Sequence, residues 1–257
     1  MPAADLAATL RAAAADRNPS GRRGLWVSFL SAYGLEAVLG ARPHEADDSR
    51  SGAGAGAIAW VGLDLQHRDL GLDDVVPLLR VAERAGVAVL PRLASHAGDA
   101  IGKMVDAGAQ GVIVPGVESA DEAQALVRAI RLPPAGGRST GAARTSLGVT
   151  GGAEPLLLPM VETAAGLAAA TEIVAVPGVD GVFIGPYDLS MSLGCEPGQE
   201  PVMSAIGSVV DTVRAAGKVV GMFTGRPDLL ALAQDLDLIA VDTDVTAVRR
   251  GIADLFG

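Results

Sequence analysis

Val81-Ala-Glu-Arg-Ala-Gly86-Val-Ala-Val-Leu90-Pro-Arg92 holds the unit from which the chain is built: a helical segment, a glycine, then a short apolar run. A glycine at that place ends a helix by turning left-handed, and an apolar run without alternation reads as a strand buried on both faces of a parallel sheet. The unit recurs where Met104–Ala107 leads through Gly108 to Gly111–Val114, and where Ala215-Ala-Gly217 leads to Val219–Phe223. Ala231–Asp235 precedes a further run, Leu238–Val241. Leu25–Phe29, Ile58–Leu63, Leu156–Met160 and Gly181–Ile184 complete a set of eight runs. Eight strands alternating with helices in 257 residues specify a (β/α)8 TIM barrel. The alanine-rich start, interrupted by Asp5, Arg11 and Asp16, adds an amphipathic N-terminal helix. A doubly wound open sheet is the rival arrangement that the spacing leaves open.

Size and composition fit one α/β domain over residues 1–257, 49% hydrophobic and 19% charged. No apolar run approaches the roughly 20 residues that span a membrane, and the first helix lacks a signal-like apolar core, so a cytoplasmic location is expected. The net charge of -10 opposes nucleic acid and anionic membrane as partners. Cys195 is the only cysteine and reads as a small loop residue; it permits neither an intrachain disulfide nor a cysteine zinc site. Two stretches break the rhythm. Residues 42–57, with Gly52-Ala-Gly-Ala-Gly56, read as an inserted flexible loop, and residues 131–152 as a proline- and glycine-rich excursion.

In a parallel barrel the C-terminal ends of the strands face the active site. Those positions hold Asp64-Leu-Gln-His67, Pro91-Arg92, Glu162, and Gly185-Pro186-Tyr-Asp188. Glu162 and Asp188 follow consecutive runs, so they emerge side by side and suit one shared divalent cation. Two carboxylates with no thiolate favour a hard, oxygen-seeking ion such as Mg2+ or Mn2+, with Co2+ also suited. Lys103 and Lys218 are the only lysines. One falls in a helix and the other before the seventh strand, which speaks against a Schiff-base route.

Three strings resemble the HpcH/HpaI class II aldolases: Asp106-Ala-Gly-Ala-Gln-Gly-Val-Ile-Val-Pro115, Leu132-Pro-Pro-Ala-Gly-Gly-Arg138-Ser139, and Pro177-Gly-Val-Asp-Gly-Val-Phe-Ile-Gly-Pro-Tyr-Asp188-Leu-Ser190. The resemblance runs from about Gly24 to Val241. It implies a metal-dependent lyase that cleaves a 4-hydroxy-2-oxoacid to pyruvate, or a close 2-oxoacid, and an aldehyde. Glu162 and Asp188 would then bind the metal, and Arg92 the keto oxygen, with Gly185 and Pro186 beside the substrate. His67, oriented with Asp64, would transfer the proton, and Asp106 would be a supporting acid near the rim. A homo-oligomer, trimer or hexamer, is implied as well. Gln66, Arg68, Gly116, Leu132 and Met160 depart from the family's usual residues. Two other readings stay open: an acyl-CoA lyase like the citrate-lyase β-subunit, whose branch shares the barrel and the acidic metal site, and a barrel that binds a 2-oxoacid without turnover, which the changes at Gln66, Arg68 and Met160 permit.

Overall fold

The computed structural model describes residues 6–15, 22–40, 58–67, 70–96, 98–139, 141, 144 and 154–257. The loop expected at 42–57 and much of the 131–152 excursion lie outside the described residues. Eight parallel strands close into a barrel in sequence order: β1 (Arg22–Val27), β2 (Trp60–Asp64), β3 (Ala88–Arg92), β4 (Gly111–Val114), β5 (Leu156–Val161), β6 (Gly181–Ile184), β7 (Val219–Phe223) and β8 (Leu238–Thr243). The open-sheet alternative is excluded because β8 pairs with β1, Trp26 lying against Thr243.

The helices are α1 (Leu6–Ala15), α2 (Ala32–Gly40), α3 (Leu72–Ala85), α4 (Asp99–Ala107), α5 (Ala120–Ile130), α6 (Ala164–Ala168), α7 (Ala170–Ala175), α8 (Pro186–Ser192), α9 (Glu200–Ala215), α10 (Pro227–Leu232) and α11 (Asp244–Phe256). Gly86 and Gly108 end α3 and α4 with φ of 73° and 108°, the left-handed turn their position in the repeat called for.

The first strand differs most from expectation. It begins at Arg22 and ends at Val27, where the sequence suggested Leu25–Phe29. Its continuation is drawn off the sheet by Asp244, whose buried carboxylate accepts the amides of Ser28, Phe29 and Leu30, each at 3.0 Å.

The barrel interior is filled by few but large side chains. Trp26, Trp60 and Phe183 are buried there with Leu90, Ile113, Leu158 and Met160. The indoles of Trp26 and Trp60 meet edge to face at 6.4 Å, and Trp26 stacks on Phe183 at 5.6 Å. Glycines on the facing strands make the room. A methyl on Gly24 would stand 2.3 Å from the Trp60 ring, and one on Gly62 2.5 Å from Trp26. An aromatic content of 3% still fills the barrel because both tryptophans and Phe183 are placed inside it.

Helix α1 closes the N-terminal mouth. It buries Leu6, Ala7, Leu10 and Ala14 among the interior residues. Its Arg11 reaches Asp180 at 2.7 Å, and Asp180 also holds Arg131 at 2.6 Å. Helix α11 is the opposite case, since its only buried residue is Asp244. Val248, Ile252, Leu255 and Phe256 lie exposed at helical spacing, the last two 80% and 86%. No described helix is long and apolar enough to cross a membrane.

Candidate active site

At the C-terminal rim a cavity of about 320 Å³ opens, lined by residues from every strand but β4. Asp64 is the last residue of β2 and Arg92 the last of β3, paired across the sheet. Their side chains form a two-pronged ion pair, Nε to Oδ1 at 3.1 Å and Nη2 to Oδ2 at 2.7 Å. Burial alone would raise the Asp64 pKa. The Arg92 charge and hydrogen bond, with the Gln66 and His67 amides, outweigh that and hold it below the ordinary value. The Arg92 guanidinium also lies over Trp26, 5.3 Å from the ring centre. The cation is thus fixed from the side and from below, while three of its five N–H donors remain beyond that pair.

Glu162 follows β5, just before Thr163 caps α6. It is buried, and the Gly116 amide donates to its Oε1 at 2.7 Å. Its Oε2 is buried without a hydrogen-bond partner. A side chain at Gly185 would come within 2.8 Å of that oxygen, which puts it against the β6–α8 turn. Burial raises the Glu162 pKa above its ordinary value. The Gly116 amide and Arg92 oppose the rise, and the neighbouring charge of Asp188 adds to it. Asp188 stands in the first turn of α8, where the helix dipole favours an anion, and its side chain lines the cavity.

A buried carboxylate oxygen without a donor, beside a second carboxylate, is an arrangement that a cation relieves. The donor set therefore fits a hard divalent ion. Among the described residues no three His, Cys, Asp or Glu side chains gather as a metal cluster, and this corner brings together two carboxylates, Glu162 and Asp188.

Of the residues expected at the rim, Asp64, His67, Arg92, Gly185, Pro186 and Asp188 line one cavity, with Glu162 behind the last turn. Asp64 meets His67 through the histidine main chain, Oδ1 accepting its amide at 3.4 Å, and the imidazole side chain is exposed. Asp106 is a correction. It lies in the last turn of α4, which descends to the N-terminal end of the barrel, and it pairs there with Arg138 at 2.7 Å. Within the chain it is therefore on the far side from the rim.

Trp26, Phe223, Tyr187 and Thr243 also line the cavity and were not singled out in the sequence. Phe223 was findable: Val219, Gly221 and Phe223 alternate along β7, and a residue's facing follows from that period of two. Gly116 gave no signal, since its contribution is a backbone amide.

The comparisons with known proteins bear on the family and the fold. A family model described as HpcH/HpaI aldolase/citrate lyase matches residues 57–246. A hydroxypyruvate/pyruvate aldolase of Rhizorhabdus wittichii is 38% identical over 210 residues, spanning 76% of this chain and 84% of that protein. A 4-hydroxy-2-oxovalerate aldolase of Rhodococcus jostii is 35% identical, spanning 88% and 90%. Among solved structures, an HpcH/HpaI aldolase/citrate lyase family protein of Burkholderia cenocepacia has a TM-score of 0.80 at 26% identity, covering 97% of this chain and 99% of that one.

Proposed function

The chain belongs to the HpcH/HpaI aldolase/citrate lyase family, and we propose that it is a metal-dependent aldolase that cleaves a 4-hydroxy-2-oxoacid to pyruvate, or a close 2-oxoacid, and an aldehyde. The observation that carries the reading is the bare, buried Oε2 of Glu162, lying behind Gly185 and beside Asp188, which itself lines a cavity anchored by Arg92.

Glu162 and Asp188 would hold the cation, with Mg2+ or Mn2+ preferred and Co2+ suitable. When bound, such an ion supplies fixed positive charge at the oxygens of a 2-oxoacid. Arg92, locked by Asp64 and Trp26, donates to the oxygen on which negative charge grows as the carbon–carbon bond breaks. It needs no rearrangement to do so, which is the main source of electrostatic catalysis. His67 takes the proton of the 4-hydroxyl. The bonding pair of C3–C4 passes into the enolate of the 2-oxoacid, the aldehyde leaves, and a proton then returns to the methyl carbon. Gly185 and Pro186 line the wall beside the oxoacid.

We propose in addition that the protein is a homo-oligomer, a trimer or hexamer. The exposed apolar stripe of α11 supports this, since so much adjacent apolar surface is unusual on a monomer.

The test needs no knowledge of the natural substrate. Pyruvate in D2O is followed by 1H NMR with protein and Mg2+ or Mn2+, then with EDTA. Loss of the methyl signal that EDTA stops is expected of an enolising enzyme. Pyruvate that binds yet keeps its methyl protons with every metal would leave a binding barrel instead.

A further inference from the structure

The two ends of the cavity differ in chemistry. Arg92 on β3 and Phe223 on β7 end strands that stand across the closed barrel, four places apart in its order. Trp26 lies between them. It carries the Arg92 guanidinium at 5.3 Å and meets the Phe223 ring at 5.8 Å. One end thus offers a cation to the oxoacid, and Glu162 and Asp188 follow β5 and β6, between the two ends. The far end is walled by Phe223 and Tyr187, their rings 5.8 Å apart and tilted by 57°.

That wall offers little to a charged group. The Tyr187 hydroxyl is spent on the Thr224 carbonyl at 3.1 Å, so its ring is what remains to a ligand. Arg226, whose charge reaches Tyr187, does not line the cavity and is held outside it by both oxygens of Asp228, at 3.0 and 2.9 Å. Asp242 beside the same tyrosine is paired with Arg250 at 3.3 Å. Among the described residues the wall therefore presents aromatic carbon within an acidic surrounding. A carboxylate brought there would lose water, meet like charges and gain no partner, whereas an alkyl or aryl group gains from both rings.

Resting on the aldolase reading, we propose that the aldehyde half of the substrate is uncharged and apolar at its far end, seated on Phe223 and Tyr187. Phe223 sets that preference. The cavity of about 320 Å³ is near the small limit of ligand pockets, which suits a short alkyl chain or one ring rather than an extended tail.

Two aldehydes of nearly equal length separate charge from size: pentanal and succinic semialdehyde. Each is added to pyruvate with Mn2+ present, and kcat/KM is measured for both. The wild-type protein is expected to favour pentanal by about tenfold or more, the scale that one or two buried methylenes confer. Phe223→Ser should lower the ratio of the two values at least severalfold, mainly by weakening pentanal. Phe223→Leu, a smaller change that keeps an apolar side chain in the interior, should lower it in the same direction by less and serves if the serine variant does not fold. Equal use of the two aldehydes, a preference for succinic semialdehyde, or a ratio untouched by either substitution would overturn the proposal. Pyruvate proton exchange by the wild-type protein separates the two levels. With exchange present, those outcomes sink only the apolar acceptor. With exchange absent for every metal, the aldolase reading falls and this one with it.

Discussion

Glu162 carries two oxygens in opposite circumstances, one accepting the Gly116 amide and the other buried without a donor. Its pKa lies above the ordinary 4.5 mainly through burial. A carboxyl that holds its proton more tightly when folded favours the fold most below its unfolded pKa. That contribution is lost as pH rises through the higher folded value. At neutral pH, ionised Glu162 therefore works against the metal-free fold. Glu162→Gln is expected to melt at a higher temperature than wild type at pH 7 without metal, with the gap closing as pH falls towards 4.5. Excess Mn2+ should stabilise wild type by about 3 kcal/mol at a hundredfold over Kd, and the variant hardly at all. Metal-dependent exchange should drop by roughly 10²-fold or more, beyond what losing a ligand's own hydrogen-bond partner costs. A variant that melts below wild type, or still gains stability from metal, would contradict the assignment. Glu162 and Asp188 could be placed on the rim because each carboxylate comes just after a buried run. Phe223 was within reach of the same reasoning, through the alternation along β7. Trp26 was not, because its contribution depends on rings brought in by other strands.

At the level of elements, Asp244 joins the last helix to the first strand's exit. Its carboxylate gathers three amides of the β1–α2 connection and sits at 1% exposure. Asp244→Ala would strand those donors, and bonds to a charged acceptor are among the strong ones. A loss of about 3 kcal/mol in urea denaturation is expected. A loss below about 0.5 kcal/mol would mean that water or a neighbour replaces the carboxylate. The same contact explains why the sequence misplaced β1. Leu25 to Phe29 is an apolar run, yet its last residues are bent off the sheet by an acid more than two hundred positions away. Most other strands could be read closely, as Gly111–Val114 and Val219–Phe223 were, because burial on both faces writes itself as an uninterrupted run. Asp106 failed for the converse reason. Its string marks the helix–glycine–strand unit, and a residue before that glycine sits at the barrel's far end from a residue after the strand.

For the whole molecule, α11 is the unfinished part. The stripe of Val248, Ile252, Leu255 and Phe256 has no cover within the described chain. On the proposed assembly, light scattering of the wild-type protein should give a multiple of 25.9 kDa. Leu255→Glu should shift the mass downward while leaving the circular dichroism of the barrel in place. A wild-type mass of one chain would end the oligomer proposal. The barrel's filling has a different consequence, for how such a sequence can drift over generations. Gly24 faces Trp60 while Gly62 faces Trp26, so each of these four positions is shut while its opposite number stays as it is. Trading an indole for alanine first costs roughly 3–5 kcal/mol, a large part of the 5–15 kcal/mol that holds a domain together. Adding a methyl first drives it into a ring. Descendants can leave this packing only by paired exchanges through a weakened ancestor, which makes the interlock a ratchet on the chain's own history.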